Sequence, residues 1–230
     1  MDNETILVEN AVITGTTLTD VSCFGVCDGQ IVINSTGATQ FSITGGAPFQ
    51  ASNTFSNLCA GNYSVVVQSA TAGCQATSNV TIQTPTALTL PTSFVDETCF
   101  GSCDGQAIVA PQGGTSPYSY SWSNGAPNSP TNNNLCAGNY TVTVTDDNGC
   151  TNNAVITISS PPQVVISNLA TVDESCTGSC DGVITITAQT ATQFSINGGA
   201  TFQASNVFPN LCSANYSVVV QDANGCQATG

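Results

Sequence analysis

The sequence contains no lysine, arginine or histidine, but it contains 14 aspartate and glutamate residues, giving a formal net charge of -14. Nucleic acids are bound largely through lysine and arginine contacts to phosphates, and anionic membranes through polybasic segments. We therefore predict that the chain binds no nucleic acid and does not bind a membrane directly.

The same absence limits catalysis, because general bases and activated nucleophiles usually require histidine or lysine. Only scattered carboxylates and 12 cysteines remain, so we expect no catalytic residues and no enzymatic activity. No apolar run is long enough to span a membrane. The first twenty residues lack the basic start and apolar stretch of a signal peptide. Since a cysteine-rich chain should be exported, we interpret the sequence as a piece of a longer, extracellular protein.

The cysteines recur in phase, four to a repeat, at intervals of 76 or 77 residues: Cys23, Cys27, Cys59 and Cys74; Cys99, Cys103, Cys136 and Cys150; Cys176, Cys180, Cys212 and Cys226. The segment NLCAGNYSVVV at 57–67 recurs with them as NLCAGNYTVTV and NLCSANYSVVV. The strand-like run TILVENAVIT at 5–14 stands before the first repeat and predicts a leading strand at 1–14, from a preceding repeat or exchanged between chains. The period predicts repeat 1 at 15–91, repeat 2 at 92–166 and repeat 3 at 167–230, whose last strand is incomplete.

Apolar residues alternate with a period of two, as in Tyr140, Val142 and Val144, and no amphipathic helix is visible. About seven short strands per repeat, separated by glycine, asparagine and proline turns, predict an all-β fold. The expected architecture is a tandem array of three immunoglobulin-like antiparallel β-sandwich domains, stapled by disulfides. Tyr63, Tyr140 and Tyr216 each begin a strand after a bend, which is typical of a tyrosine corner.

Disulfides explain the cysteines better than other chemistry does. Zinc sites favour closely spaced pairs or added histidine, and a thioredoxin-like pair opens a helix. We therefore expect two disulfides in each small domain. The third and fourth cysteines of a repeat lie near opposite ends of a predicted hairpin, about 20 Å apart, so they cannot pair. Two patterns stay open: first with fourth and second with third, or first with third and second with fourth.

Two further groups of residues could form binding sites. Tyr118, Tyr120 and Trp122 could stack on a sugar, but the positions of Tyr120 and Trp122 hold phenylalanine and isoleucine in the other repeats, which favours core packing. The acids that follow each C-x3-C pair, Asp28, Asp104 and Asp181, are weak candidates for calcium. Asp-Gly is an ordinary turn dipeptide, so we favour turns that lead into the next strand, no metal site and no cofactor.

Three stretches together resemble the SprB-type repeat of large surface adhesins that gliding bacteria export through the type IX secretion system. They are the C-x-G-x-C-D-G motif, GGTSPYSYSWSNG at 113–125 and NLCAGNYTVTVTDDNGC at 134–150, and the resemblance is strongest over 97–158. It implies first-to-fourth and second-to-third pairing. The implied bonds are Cys23–Cys74, Cys27–Cys59, Cys99–Cys150, Cys103–Cys136, Cys176–Cys226 and Cys180–Cys212.

The resemblance also implies a non-catalytic stalk or filament on the cell surface, used in attachment or gliding, whose partners are neighbouring repeats of the same polypeptide. One alternative is a module that binds surface polysaccharide. Another is a filament subunit that polymerises head to tail by lending its N-terminal strand to a like subunit.

Overall fold

The computed structural model describes residues 10–70 and 73–230, and the all-β prediction is confirmed there. Among these residues there is no helix, and hence none that could cross a membrane. The strands are β1 Val12–Thr19, β2 Gly29–Thr36, β3 Gln40–Ser42, β4 Thr54–Leu58, β5 Gly61–Gln68, β6 Gln75–Ile82, β7 Thr92–Val95, β8 Gly105–Val109, β9 Ser119–Trp122, β10 Thr131–Leu135, β11 Gly138–Thr145, β12 Thr151–Ile158, β13 Val165–Val172, β14 Gly182–Gln189, β15 Gln193–Ser195, β16 Val207–Leu211, β17 Val219–Gln221 and β18 Gln227–Thr229.

The same topology occurs three times, once for each cysteine repeat. The first, second and fourth strands of a repeat form one three-stranded sheet, and the third, fifth and sixth form another. Every strand pairing in repeats 1 and 3 is antiparallel. Each repeat therefore has six named strands in its described part, and not the seven expected.

The expected extra strand is replaced by a single pair of residues. Gln50 exchanges two backbone hydrogen bonds with Phe41, at 2.8 and 2.9 Å, and the flanking residues form no ladder. Gln203 does the same with Phe194 in repeat 3. The intervening turns contain Gly45, Gly198 and Gly199 with positive φ, at 81°, 71° and 86°.

The expected leading strand was placed wrongly at its C-terminal end. Strand β1 pairs with β2 of its own repeat, with Val12 opposite Thr36, so Val12–Thr14 belongs to the sheet of repeat 1. Similarly, the predicted boundary between 166 and 167 falls inside β13, which pairs with β14. Residues 1–9 lie outside the described part of the chain.

The chain divides into two compact units. The first comprises Met1–Pro91, Ala110–Ser121 and Thr143–Asn153, and the second comprises Thr92–Val109, Trp122–Val142 and Ala154–Gly230. Repeat 2 contributes residues to both units, so the units do not coincide with the sequence repeats. The three-repeat boundaries stay a prediction.

Each unit has a buried core drawn from alternate strand positions. In the first unit, Ile31 and Ile33 of β2 pack with Val65 and Val67 of β5 and with Ile82 of β6. In the second unit, Ile186, Phe194, Val218 and Val220 form the corresponding cluster, and Cys226 joins it. Burial of the valine, isoleucine and phenylalanine side chains in these clusters stabilises each sheet pair by roughly 1.5–3 kcal/mol per side chain.

Candidate functional site

The candidate functional site is the set of three C-x-G-x-C corners, at 23–27, 99–103 and 176–180, together with the residues they contact. Each corner is closed by a backbone hydrogen bond to the first cysteine's carbonyl, from Val26, Ser102 or Ser179, at 2.9–3.2 Å. The central glycine has positive φ in all three, with values of 79°, 73° and 86° at Gly25, Gly101 and Gly178. A residue without Cβ is favoured there, because this region of backbone space disfavours other side chains.

The three predicted calcium candidates bind groups of their own corner. The Asp104 carboxylate accepts hydrogen bonds from the Thr98 backbone N–H and from the hydroxyls of Thr98 and Ser102. Asp181 accepts the same set from Ser175 and Ser179. Hydrogen bonds from Ser102 and then Thr98 lower the pKa of Asp104 to about 2. Those from Ser175 and then Ser179 lower the pKa of Asp181 to about 2.

Asp28 plays the same part in repeat 1, accepting from the Ser22 N–H at 2.9 Å, and hydrogen bonding by Ser22 lowers its pKa. These contacts support a structural role for the three aspartates in their corners. They stay weak candidates for calcium binding.

The glycine after each acid is not a turn residue, which corrects the prediction. Gly29, Gly105 and Gly182 are the first residues of β2, β8 and β14, are buried, and do not have positive φ. A Cβ on Gly105 would lie 2.7 Å from Ile158 Cγ2 and 2.8 Å from the Leu135 carbonyl oxygen. The sequence needs glycine here because the strands approach closely.

This close approach also brings the second and third cysteines together. Gly29 is opposite Leu58 in the β2–β4 register, Gly105 is opposite Leu135, and Gly182 is opposite Leu211. The flanking cysteines therefore meet, and the structure contains Cys27–Cys59, Cys103–Cys136 and Cys180–Cys212, with Cα–Cα distances of 3.8–3.9 Å. These are the second-to-third pairs that the resemblance implies.

The first and fourth cysteines pair differently from the prediction. Cys23 is bonded to Cys150 and Cys99 to Cys226, each across 127 residues, with Cα–Cα distances of 5.7 and 5.6 Å. The expected bonds Cys23–Cys74, Cys99–Cys150 and Cys176–Cys226 are absent. Cys74 and Cys176 are free thiols.

Strand length gives the physical reason for this correction. The corner lies beside Cys59, before β5, whereas Cys74 follows the eight residues of β5 at its other end. Eight residues of strand extend about 26 Å, which is far beyond the reach of a disulfide. The first cysteine of one repeat therefore bonds to the fourth cysteine of the next, and we call this arrangement a joint.

Further contacts surround the joint between Cys23 and Cys150. The Asn148 side-chain amide donates to the Ser22 carbonyl at 3.2 Å, and the Asn152 amide donates to the Leu88 carbonyl at 2.7 Å. Cys150 Sγ lies 3.4 Å from the Ser22 carbonyl oxygen, a contact without a proton because the sulfur is oxidised. The sequence analysis did not single out either asparagine.

The joint between Cys99 and Cys226 has other support. Cys226 is buried and packs with Cys99, and its Sγ lies 3.3 Å from the Thr98 carbonyl oxygen. Buried Glu97 accepts from the Cys103 N–H at 3.0 Å and the Gly101 N–H at 3.3 Å, which fixes the corner from inside. Sequence reasoning missed this role of Glu97, although Glu174 precedes the third corner at the same offset and accepts from the Cys180 N–H.

Two of the three residues that could bind a metal at the second corner are joined to each other in a disulfide. Glu97, Cys103 and Cys136 present ligand atoms within 4.8 Å of one another. Both cysteines are joined in a disulfide and offer no thiolate, which is the form of cysteine that binds metal.

The three tyrosines make the contact that a tyrosine corner requires. Their hydroxyls donate to the backbone carbonyl four residues upstream: Tyr63 to Cys59 at 2.7 Å, Tyr140 to Cys136 at 3.0 Å and Tyr216 to Cys212 at 2.9 Å. Each hydrogen bond is accepted by the carbonyl of the third cysteine of its repeat, so the tyrosine fixes the backbone next to the intra-repeat disulfide.

The aromatic strand of repeat 2 is not an open platform at its tryptophan. Trp122 is buried, and its indole N–H donates to the Ser129 carbonyl at 2.9 Å. Tyr118 is half-buried and donates its hydroxyl to the Gly113 carbonyl. Tyr120 is also half-buried, and burial raises its pKa. This environment agrees with core packing, and polysaccharide binding stays untested.

None of the curated proteins matches the chain. Two solved structures are similar at low identity. The N-terminal eight Ig domains of Down Syndrome Cell Adhesion Molecule (DSCAM) isoform 1.30.30 match at 11% identity and a TM-score of 0.41, over 87% of this chain and 33% of that one. Drosophila OTK extracellular domains 3-5 match at 12% identity and a TM-score of 0.26, over 97% of each chain. The chain spans about a third of the DSCAM fragment. Residues 92–127 match the family model of the SprB repeat, which confirms the predicted resemblance over that part of the chain.

Proposed function

We propose that the chain is a non-catalytic structural repeat region of a bacterial cell-surface adhesin, a stalk or filament of three immunoglobulin-like domains that serves attachment or gliding. The match of residues 92–127 to the SprB repeat supports this proposal. Five disulfides support an extracellular location, since such bonds persist in oxidising surroundings. Export by the type IX system belongs to the same proposal and rests on the resemblance alone.

The observation that carries the proposal is the pairing of the first cysteine with the fourth cysteine of the next repeat. Because of this pairing, a force applied to the two ends of the chain is carried by a short path of peptide bonds and disulfides. The route runs from Met1 to Cys23, from Cys150 back to Cys136, from Cys103 to Cys99 and from Cys226 to Gly230, which leaves about 44 peptide links. Most of the 230 residues are therefore shielded from load, as a stalk under tension requires.

Single-molecule pulling between the two termini tests this mechanical role. At about 3.6 Å per residue, 44 links extend to about 16 nm, whereas the reduced chain extends to about 80 nm. Pairing within each repeat would leave about 77 links, or about 28 nm. The measurement is the extension at which the oxidised chain becomes inextensible.

The matched control is the double variant Cys23→Ser, Cys99→Ser, which keeps the intra-repeat bonds and should extend well beyond 28 nm. An oxidised wild-type limit near 28 nm would overturn the load-bearing route. A limit near 16 nm that is lost in the control would support it.

A further inference from the structure

The intra-repeat disulfide of repeat 1 is more exposed to solvent than its counterpart in repeat 2. Cys27 and Cys59 are both exposed, whereas in the bond between Cys103 and Cys136 only Cys136 is exposed and Cys103 is half-buried. A thiolate exchanges with a disulfide by attacking one of its two sulfur atoms, so the rate depends on access to that atom. Exposure therefore favours exchange at Cys27–Cys59.

Repeat 2 has a carboxylate beside this disulfide, and repeat 1 has none at the same position. A carboxylate oxygen of Glu97 and the sulfur atoms of Cys103 and Cys136 all lie within 4.8 Å of one another. Glu97 accepts hydrogen bonds from two backbone N–H groups of the corner, and such bonds favour the ionised form of a carboxyl group. A negative charge therefore lies next to both sulfur atoms at neutral pH.

Valine occupies the position of Glu97 in repeat 1. Val21 is 4% exposed and belongs to the core cluster of that repeat, so it brings no charge to the corner. The segments 20–29 and 96–105 differ in charge only at this position, and the segments 57–63 and 134–140 around the third cysteine are identical. In repeat 3 the position is held by Glu174, which accepts from the Cys180 N–H. Repeat 1 is thus the exception among the three corners.

A carboxylate this close slows exchange in two ways. It repels the attacking thiolate, which is itself an anion, and it disfavours the negative charge that develops on the departing sulfur. Glu97 therefore protects Cys103–Cys136, and the bond Cys27–Cys59 lacks this protection.

We propose that Cys27–Cys59 is a thiol-exchange site, at which a thiol from the surrounding solution becomes covalently attached to the chain. Cys59 is the residue attacked, because it lies between uncharged Leu58 and Ala60, whereas Asp28 directly follows Cys27. An anionic thiolate therefore approaches Cys59 with less repulsion.

The exchange needs no other reactant. The thiolate sulfur of the ligand attacks Cys59 Sγ, a new S–S bond forms between them, and the bond from Cys59 to Cys27 breaks. Cys27 leaves as a thiolate and takes a proton from water. The ligand sulfur is oxidised and the Cys27 sulfur is reduced, so electrons balance. This activity goes beyond the proposed structural role and uses a disulfide outside the joints, so the two proposals can fail separately.

Site-resolved labelling of the intact chain measures exchange at each disulfide. The thiols of Cys74 and Cys176 are first blocked with N-ethylmaleimide. The folded chain is then treated with 2-mercaptoethanol, and samples taken over time are labelled with isotopically heavy N-ethylmaleimide. Peptides from chymotrypsin are quantified by mass spectrometry, because the sequence contains no lysine or arginine for trypsin.

We expect label to appear at Cys27 at least about five times faster than at Cys103, which is the effect of one unit charge about 4–5 Å away in water-like surroundings. Early in the reaction, Cys59 should carry mercaptoethanol while Cys27 carries the label. Exchange at Cys103–Cys136 that is as fast or faster would overturn the proposed site. Mercaptoethanol found mainly on Cys27 would overturn attack at Cys59.

Glu97→Gln is the matched variant, since it removes the charge and keeps a side-chain oxygen that can accept from the corner. Exchange at Cys103–Cys136 should become about five times faster, while exchange at Cys27–Cys59 stays the same. The joint Cys99–Cys226 reports whether the corner has loosened. An unchanged rate at Cys103–Cys136, or an equal rise at the joint, would overturn the protective role of Glu97.

The charge of the thiol gives a second measurement that needs no substitution. Cysteamine carries a positive ammonium group and 2-mercaptoethanesulfonate carries a negative sulfonate, so Glu97 should attract the first and repel the second. The ratio of the cysteamine rate to the mercaptoethanesulfonate rate should be larger at Cys103–Cys136 than at Cys27–Cys59. Equal ratios at the two disulfides would contradict the electrostatic argument.

Discussion

The two joints, Cys23–Cys150 and Cys99–Cys226, contain the same kind of disulfide but differ in the side chains that surround it. At Cys23–Cys150, side-chain amides of Asn148 and Asn152 reach across to backbone carbonyls, and the residue before Ser22 is the buried Val21. At Cys99–Cys226 the equivalent of Val21 is Glu97, which bonds to the corner's own N–H groups.

The separation of 127 residues and the Cα–Cα distances of 5.7 and 5.6 Å are nevertheless almost the same. We infer that strand register and corner backbone position the bond, and that the surrounding side chains only adjust its stability.

Removal of a joint should have the largest effect. In the loop-entropy model a bond that closes about 127 residues contributes up to about 5 kcal/mol, against about 3.7 kcal/mol for one that closes about 32 residues. Cys23→Ser should therefore lower the free energy of unfolding more than Cys27→Ser, and denaturant titration measures both. Cys99→Ser should cost still more, because it places a serine hydroxyl against the buried cluster that contains Cys226. Equal costs for Cys23→Ser and Cys99→Ser would mean that burial of Cys226 adds nothing.

Alanine at the glycines that begin β2 and β8 should have the next largest effect. Gly105→Ala places Cβ 2.7 Å from Ile158 Cγ2, whereas Gly29→Ala places it 3.0 Å from Ile82 Cγ2. Overpacking costs about 1–3 kcal/mol, so we expect Gly105→Ala to be the more destabilising of the pair in thermal unfolding. Gly101→Ala, which is strained by its φ of 73° but has no atom near the added Cβ, is the control for strain without a clash. A larger loss for Gly29→Ala would contradict the steric argument.

Acid should distinguish the second corner from the first. The pKa of Asp104 is about 2 in the folded chain, against an ordinary value of 3.8, so its contribution to stability is present above about pH 4 and is lost as the pH falls through 2. Asp104→Asn should lower the melting temperature at pH 7, and the difference from the wild type should shrink between pH 4 and pH 2. Asp28→Asn is the matched variant, with a smaller effect expected because Val26 stands where Ser102 supplies an additional hydroxyl to Asp104. A pH-independent difference for Asp104→Asn would rule out the ionised carboxylate as the cause.

The amide contacts should have the smallest effect. Asn148→Ala removes the hydrogen bond to the Ser22 carbonyl and should cost about 0.5–1.5 kcal/mol. Asn224→Ala is its counterpart in repeat 3, and a smaller loss is expected there, because the contact described for Asn224 is made by its backbone N–H. Chemical denaturation of the two variants measures the loss in the free energy of unfolding. Equal losses would show that the Asn148 side chain does not distinguish the two joints.

The strands and the presence of a repeated disulfide scheme could be predicted from the sequence. Period-two alternation in segments such as Tyr140–Val144 predicts strands, and cysteines in phase predict a shared covalent scheme. The joints are not evident from the sequence, because four cysteines in phase in each repeat suggest pairing within that repeat. The length argument that separates Cys59 from Cys74 also separates Cys23 from Cys74, and applied to both it would have pointed to the next repeat.

Other features depend on atoms that a sequence does not place. A glycine required by a neighbouring strand, such as Gly105, looks the same in a sequence as a turn glycine. The part played by Glu97 likewise depends on two N–H groups that turn toward it only when the corner has formed.

The two joints overlap along the chain, since one spans 23–150 and the other spans 99–226. Every peptide bond between residues 23 and 226 is therefore bridged by at least one disulfide. A protease that cuts the backbone once in this interval produces a nick and not two fragments. On a surface exposed to the secreted proteases of other organisms, the chain would remain one molecule after a single cleavage.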